Sequence, residues 1–255
     1  VVITGIGMVT SLGNDVATTW ENLLQGKSGA GPITHFDATK FKTQFACEVK
    51  NFDPTQYIER RDARRLDRYT HLAIASAVQA VEDANLDMEK VNKDRVGVVY
   101  SAGIGGLKSF EDEVGEYFLH PEKGPRFSPF FIPKIIPDIA AGHISMRYGF
   151  RGPNYATVSA CASSTNALID AFNLIRLGKA DIIVSGGAEA GVNITGIGGF
   201  NAMHALSTRN DSPQTASRPL SASRDGFVLG EGAACLVLEE MEHALARGAK
   251  IYAEV

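Results

Sequence analysis

Residues 152–177 read GPNYATVSACASSTNALIDAFNLIRL, and the hydrophobic period changes midway through them. Tyr155–Ala160 is a short run of small and β-branched residues that reads as a buried strand. Leu168, Ala171, Phe172 and Ile175 then recur at three- and four-residue spacing, as one face of a helix does. That helix is expected from about Cys161 to Leu177, with Gly178 placed to cap its C-terminus. The turn between them holds only small residues: Ser159, Ala160, Cys161, Ala162, Ser163 and Ser164. The same alternation extends outward. Val1–Val9, Val96–Ser101, Asp181–Ser185 and Ala233–Leu238 read as short buried strands, and Ile251–Val255 as the start of another. Thr70–Ala84 reads as a second helix, with Leu72, Ala75, Val78, Ala80 and Val81 facing inward. Strands alternating with helices predict a layered α/β fold with a substantially parallel sheet.

Composition narrows the functional classes. The chain has 255 residues, 44% hydrophobic and 21% charged, as in ordinary globular proteins, and is long enough for one large domain or two small ones. A net charge of -4 argues against a general nucleic-acid binder. Cys47, Cys161 and Cys235 lie far apart with no CxxC pair, which excludes a disulfide scaffold or zinc ribbon and fits a reducing compartment such as the cytoplasm. The longest uncharged stretches, 152–169 and 190–208, are broken by Gly, Asn, Ser and Thr and do not read as membrane spans. The chain opens at VVITGIG with neither an initiator Met nor a basic leader, which reads as a trimmed end.

Cys161 is the most reactive candidate. At a helix N-terminus, unpaired backbone N–H groups and the macrodipole favour a thiolate and can hold an oxyanion; a buried structural cysteine is the alternative. Cys47 and Cys235 sit in strand-like patterns and read as core. Gly26-Lys27-Ser28 has Glu21 where a phosphate loop needs glycine. Gly103-Ile104-Gly105-Gly106 and Gly196-Ile197-Gly198-Gly199 have Lys108 and Asn201 where a dinucleotide fingerprint needs its third glycine, so no nucleotide site is expected. The six histidines do not fall in metal-ligand spacing. His143, in AAGHIS, has the most apolar setting and reads as structural. The Pro-rich stretch 121–137 carries Phe127, Phe130, Phe131 and Ile132, which require burial in the core or against a partner subunit. Arg60–Arg68 is strongly basic, and helical spacing would align Arg61, Arg64, Arg65 and Arg68 as a solvated face or as a docking face for an acidic partner.

Seven segments in order complete the picture: VVITGIGMVTSLGN at 1–14, SAGIGG at 101–106, SPFFIP at 128–133, GPNYATVSACASS at 152–164, SGGAEA at 185–190, ALSTRND at 205–211 and SRPLSASRDGFVLGEGAACLVLEE at 217–240. This series resembles the β-ketoacyl-[acyl-carrier-protein] synthases, most closely the type II, chain-elongating members. The resemblance implies a thiolase-like α/β fold of five layers, αβαβα, of which residues 1–255 form the N-terminal ketoacyl synthase domain, normally in a homodimer. It implies a decarboxylative Claisen condensation in fatty-acid elongation, with the acyl group held as a thioester on Cys161 and no cofactor or metal. Polyketide-type ketosynthases and non-catalytic chain-length factors are the nearest alternatives; the latter usually lack the cysteine.

By position in these motifs, Ile104 is implied to gate the acyl pocket, and Gly103, Leu107, Ala160 and Phe200 to line it. Phe131 and Ile132 match the segment where the dimer partner closes that pocket. Arg61, Arg64 and Arg65, with Arg126, match basic positions that receive acyl- and malonyl-loaded carrier protein. His204 stands where relatives often carry Arg. The family's catalytic histidines and second oxyanion loop have no matching motif here, so no histidine is given a catalytic role.

Overall fold

The computed structural model describes all 255 residues. Its centre is a six-stranded sheet built from β1 (Val2–Val9), β4 (Val96–Ser101), β5 (Asn154–Tyr155), β6 (Ile182–Ala190), β7 (Glu231–Glu239) and β8 (Ala253–Glu254), in the order β5-β4-β6-β7-β1-β8. A separate two-stranded ribbon pairs β2 (Gly31–Pro32) with β3 (Phe45–Ala46). The helices are α1 (Val16–Leu24), α2 (Arg60–Ala63), α3 (Arg68–Asp83), α4 (Leu107–Leu119), α5 (Phe131–Ile135), α6 (Ile139–Tyr148), α7 (Ser163–Arg176), α8 (Ile194–Ala202) and α9 (Met241–Ala246).

The sheet is mixed rather than substantially parallel. β4 runs parallel to β5 and β6, whereas β7 is antiparallel to β6 and β1, and β8 is antiparallel to β1. One face of β7 is buried through Ala233, Cys235 and Val237, whereas its other face is only partly covered, with Gly232 and Leu236 half-buried and Ala234 exposed. Its apolar run resembles that of a buried parallel strand although it pairs antiparallel. Alternate side chains divide between two cores. Val96, Val98, Tyr100, Ile182, Val184, Cys235 and Val237 pack with α3 and α6, and Val99, Ile183 and Leu238 pack with Ala167, Ala171 and Ile175 of α7. The result is three layers, helix–sheet–helix, in which each fully buried aliphatic contributes about 1.5–3 kcal/mol.

α3 presses on β1 at backbone contact distance. A Cβ at Gly5 would lie 2.1 Å from the Ala80 carbonyl oxygen, and one at Gly7 would lie 2.0 Å from that of Ser76. Glycine at both places is therefore a condition of this packing. Asp83 and Gln79 on α3 also accept from the Ile6 and Met8 N–H groups, which lie beyond the short pairing of β8.

The helix expected over 70–84 forms as α3, begun two residues earlier because the Asp67 carboxylate caps the Tyr69 N–H. The strand expected at 181–185 runs on to Ala190. Gly186 lets β7 approach there, since a Cβ would sit 2.1 Å from the Ala234 carbonyl oxygen. The strand expected over 155–160 shrinks to Asn154–Tyr155 at the sheet edge, and that expected over 251–255 shrinks to two residues. The basic segment is not one helical face either. α2 ends at Ala63, and Arg68 turns inward to a buried carboxylate, its Nη2 2.6 Å from Glu231 Oε1.

Candidate active site

β5, β4 and β6 are the parallel strands, and their carboxyl ends lie at one edge of the sheet, where open α/β sheets hold their ligands. The turn bearing Cys161 follows β5, the loop Ala102–Gly106 follows β4, and Glu189 stands near the end of β6.

Cys161 is exposed and lies in a single 3-10 turn, Ala160–Ala162, immediately before α7. The helix itself begins at Ser163, two residues later than the start near Cys161 expected from the sequence. Ala160 has φ of +52°, a left-handed conformation that costs a side-chain-bearing residue about 1–2 kcal/mol. Ser163 holds it there: its hydroxyl donates to the Ala160 carbonyl at 2.7 Å and accepts from the Ser159 N–H at 2.8 Å. Thr157 donates to the Ser163 carbonyl at 2.8 Å, and Asn166 to the Ser159 hydroxyl at 2.6 Å. These bonds take up the backbone that would otherwise have extended the strand to Ala160. No side chain caps α7, and the Cys161 N–H has no partner, so a donor remains open beside the sulfur.

The loop after β4 closes on this turn. A Cβ on Gly103 would sit 2.9 Å from Glu189 Oε2 and 3.3 Å from the Ala160 carbonyl oxygen, so Gly103 and Ala160 adjoin. Ile104 next to it is 44% exposed. Glu189 accepts from the Gly103, Ile104 and Gly105 N–H groups at 2.8, 2.8 and 3.2 Å. Burial pushes its carboxyl above the usual range, the three N–H groups oppose the rise, and the charge of Asp67 adds to it. Sequence reasoning missed Glu189; an acid inside the apolar run SGGAEA was the available signal.

The remaining candidates spread outward. Leu107 opens α4. Gly106 abuts α5, where a Cβ would fall 2.1 Å from the Lys134 carbonyl oxygen. On α5, Phe131 stacks with Phe127 at 5.2 Å and Phe110 at 6.2 Å, whereas Ile132 is 59% exposed. Phe127 and Phe130 are also exposed, so this chain's own core does not bury the Pro-rich segment. Phe200 lies on α8, edge-on to Phe227 at 5.4 Å. Arg61 and Arg64 are exposed at α2, and Arg65 pairs with Asp62 and lies 4.8 Å from the centre of the Phe130 ring. Arg126 is exposed four residues before Phe130. His143 is half-buried on α6, where burial holds its imidazole below the ordinary value against the opposing charge of Asp62. His204, at φ +53°, borders an open cavity of about 560 Å³ with Arg218, Arg224 and Asp225.

The three thiols differ sharply in access. Cys235 is fully buried and Cys47 half-buried, and burial pushes both thiols above the ordinary range. Substoichiometric iodoacetamide at neutral pH is therefore expected to modify Cys161 at least about tenfold faster than either of the others. Peptide mapping checks this, and comparable labelling of Cys47 or Cys235 would contradict it.

The architecture defines an α/β protein whose candidate site, centred on an exposed cysteine, sits at the carboxyl ends of its parallel strands. Residues 1–244 match the family model "Beta-ketoacyl synthase, N-terminal domain". The chain belongs to the β-ketoacyl synthase family. It is 47% identical, over its whole length, to a "3-oxoacyl-[acyl-carrier-protein] synthase 2" of Synechocystis sp., and it spans 61% of that relative. A beta-ketoacyl synthase from Burkholderia phymatum superposes with a TM-score of 0.88 at 32% identity, over 98% of this chain and 61% of that one. A type II polyketide ketosynthase, AntDE, solved with its acyl-carrier protein AntF, superposes with a TM-score of 0.76 at 26% identity, over 98% of this chain and 65% of that one. The thiolase-like α/β fold expected from the sequence is the fold of these neighbours.

Proposed function

We propose that residues 1–255 serve as the N-terminal, acyl-accepting domain of a fatty-acid-elongating β-ketoacyl synthase, with Cys161 as its nucleophile. The observation that carries this reading is the exposed Cys161 on a strained turn before an uncapped helix, with its own N–H free. The sulfur attacks the thioester carbonyl of an acyl-carrier protein, and the Cys161 N–H donates to the oxyanion that forms. Collapse of that intermediate breaks the carbonyl–sulfur bond to the carrier, whose thiol leaves with the proton. The acyl group is then held on Cys161. Malonyl-carrier protein next loses carbon dioxide, its enolate carbon attacks the acyl-cysteine carbonyl, and the thiolate is expelled. Covalent catalysis here splits one difficult step into two.

Acyl carrier protein is the proposed partner, received by Arg61, Arg64, Arg65 and Arg126; the carrier complex of AntDE supports it. A second copy of the chain is the proposed cover for Phe127, Phe130, Ile132 and Val158, all of which are exposed. No helix is long and apolar enough to cross a membrane. Three free cysteines suit a reducing compartment, and the cytoplasm is the proposed location. Cys161 itself speaks against a non-catalytic chain-length factor.

A single-turnover chase tests the reaction. Acyl-loaded full-length protein given malonyl-carrier protein is expected to release one carbon dioxide per 3-oxoacyl product and to regenerate the free thiol. Condensation of coenzyme A thioesters without carbon dioxide release would favour thiolase chemistry instead. Acyl selectivity supplies a second check. Ile104→Phe is expected to lower kcat/KM for long acyl donors by about 100-fold while changing that for short donors little. Equal losses for both would remove Ile104 from the gate.

A further inference from the structure

Glu189 has no part in the chemistry above, yet it makes the densest polar contact beside the nucleophile turn. Its carboxylate accepts three successive N–H groups, from Gly103, Ile104 and Gly105. None of those three donates to a backbone oxygen, so Glu189 is the sole acceptor for the whole run. Convergent amides around an anion form a charge-assisted nest, which a neutral acceptor fills less well. The central residue of the run is Ile104, and its partly exposed side chain leaves its position to the backbone. Gly103 is wedged between the carboxylate and the Ala160 carbonyl oxygen, where a Cβ would lie 2.9 Å and 3.3 Å from them. The first turn of α4, which follows the loop, is held in the same manner, because Asp67 accepts from the Ser109 N–H at 2.9 Å and from its hydroxyl at 2.7 Å. Carboxylates from other elements thus hold both the loop and the helix turn after it, and the one that holds the loop beside the nucleophile turn is Glu189.

We propose that Glu189 is a positioning residue: by gathering the Gly103–Gly105 amides it fixes where Ile104 stands relative to Cys161, and so which acyl chains the cysteine accepts. This inference rests on the acyl-transfer reading of Cys161. It requires no contact between Glu189 and the substrate.

Glu189→Gln keeps the size of the side chain but loses the charge and turns an amide NH2 toward N–H donors. In the full-length protein, hydrogen exchange at Gly103, Ile104 and Gly105 is expected to quicken by about tenfold or more in this variant. The ratio of long-chain to short-chain kcat/KM for acylation is expected to shift by about fivefold or more, with the melting temperature nearly unchanged. A purely structural role would lower stability and leave that ratio alone. Unchanged exchange, or an unchanged ratio in a variant that still acylates Cys161, would overturn the proposal. The unmodified protein gives an arm that does not depend on the variant folding. There the three amides are expected to exchange at least about 100-fold more slowly than in an unstructured peptide, and rapid exchange would overturn the proposal too. If no acyl donor loads the unmodified protein, the acyl-transfer reading fails and the selectivity role of Glu189 fails with it. Loading with an unshifted ratio removes only the role of Glu189.

Discussion

Cys161→Ala in the full-length protein is expected to cut formation of 3-oxoacyl product by on the order of 10⁴-fold or more, with the fold intact. The magnitude follows from the chemistry. Without the sulfur there is no covalent acyl intermediate, and the malonyl-derived enolate would have to attack an acyl-carrier thioester that no covalent bond holds in place. The intact fold follows from exposure, because Cys161 packs into no core cluster and its side chain makes none of the bonds that shape the turn. Product formation followed by mass spectrometry, beside a thermal melt of the same sample, checks both halves. Activity within tenfold of the unmodified protein would exclude Cys161 as nucleophile. Lost activity with a collapsed melt would make the residue structural.

Glu239→Ala is expected to destabilise the fold by about 3–5 kcal/mol, since it strips the partner from a buried ion pair. Glu239 is fully buried at the end of β7. It accepts from Thr4 on β1 at 2.8 Å, from Arg247 Nε at 2.6 Å and Nη2 at 2.7 Å, and its Oε1 lies 2.6 Å from His243 Nδ1 on α9. Arg247 also donates to the Ala84 carbonyl at the end of α3, so one carboxylate joins β7, β1, α9 and α3. Burial raises its affinity for protons, but the combined bonds from Arg247, His243 and Thr4 outweigh burial and hold the carboxyl below the ordinary value. A carboxyl depressed on folding stabilises the native state above its unfolded pKa of about 4.3. That contribution is lost as pH falls through the lower, folded value. Denaturant melts of Glu239→Gln and the unmodified protein are therefore expected to differ most near neutrality and to converge in acid. A gap that widens in acid would contradict the assignment.

The elements that were legible in sequence are those with a local signal. α3 has a regular apolar face and β4 is a run of buried residues, so each announces itself within its own span. Strand direction has no such signal. β7 looks like a parallel strand because its residues form an unbroken apolar run, and only long-range pairing with β6 and β1 sets its direction. Cys161 was legible because a small-residue turn between strand and helix is local. Its displacement from the helix start was not, because it depends on the Ser163 hydroxyl taking both the Ala160 carbonyl and the Ser159 N–H. Arg68 illustrates the same limit. Within RRDARRLDR it resembles its neighbours, but Glu231, far along the chain, draws it out of their face. Glu189 escaped notice because its partners are backbone amides from another strand end, and no side-chain motif encodes them.

Intact-mass spectrometry of the full-length protein after incubation with acyl-carrier protein, followed by peptide mapping, tests the assignment of Cys161 most directly. The expected result is a gain of one acyl group per chain, located on the peptide that contains Cys161. No gain on folded protein, or an acyl group mapped to Cys47, Cys235 or any other residue, would contradict it.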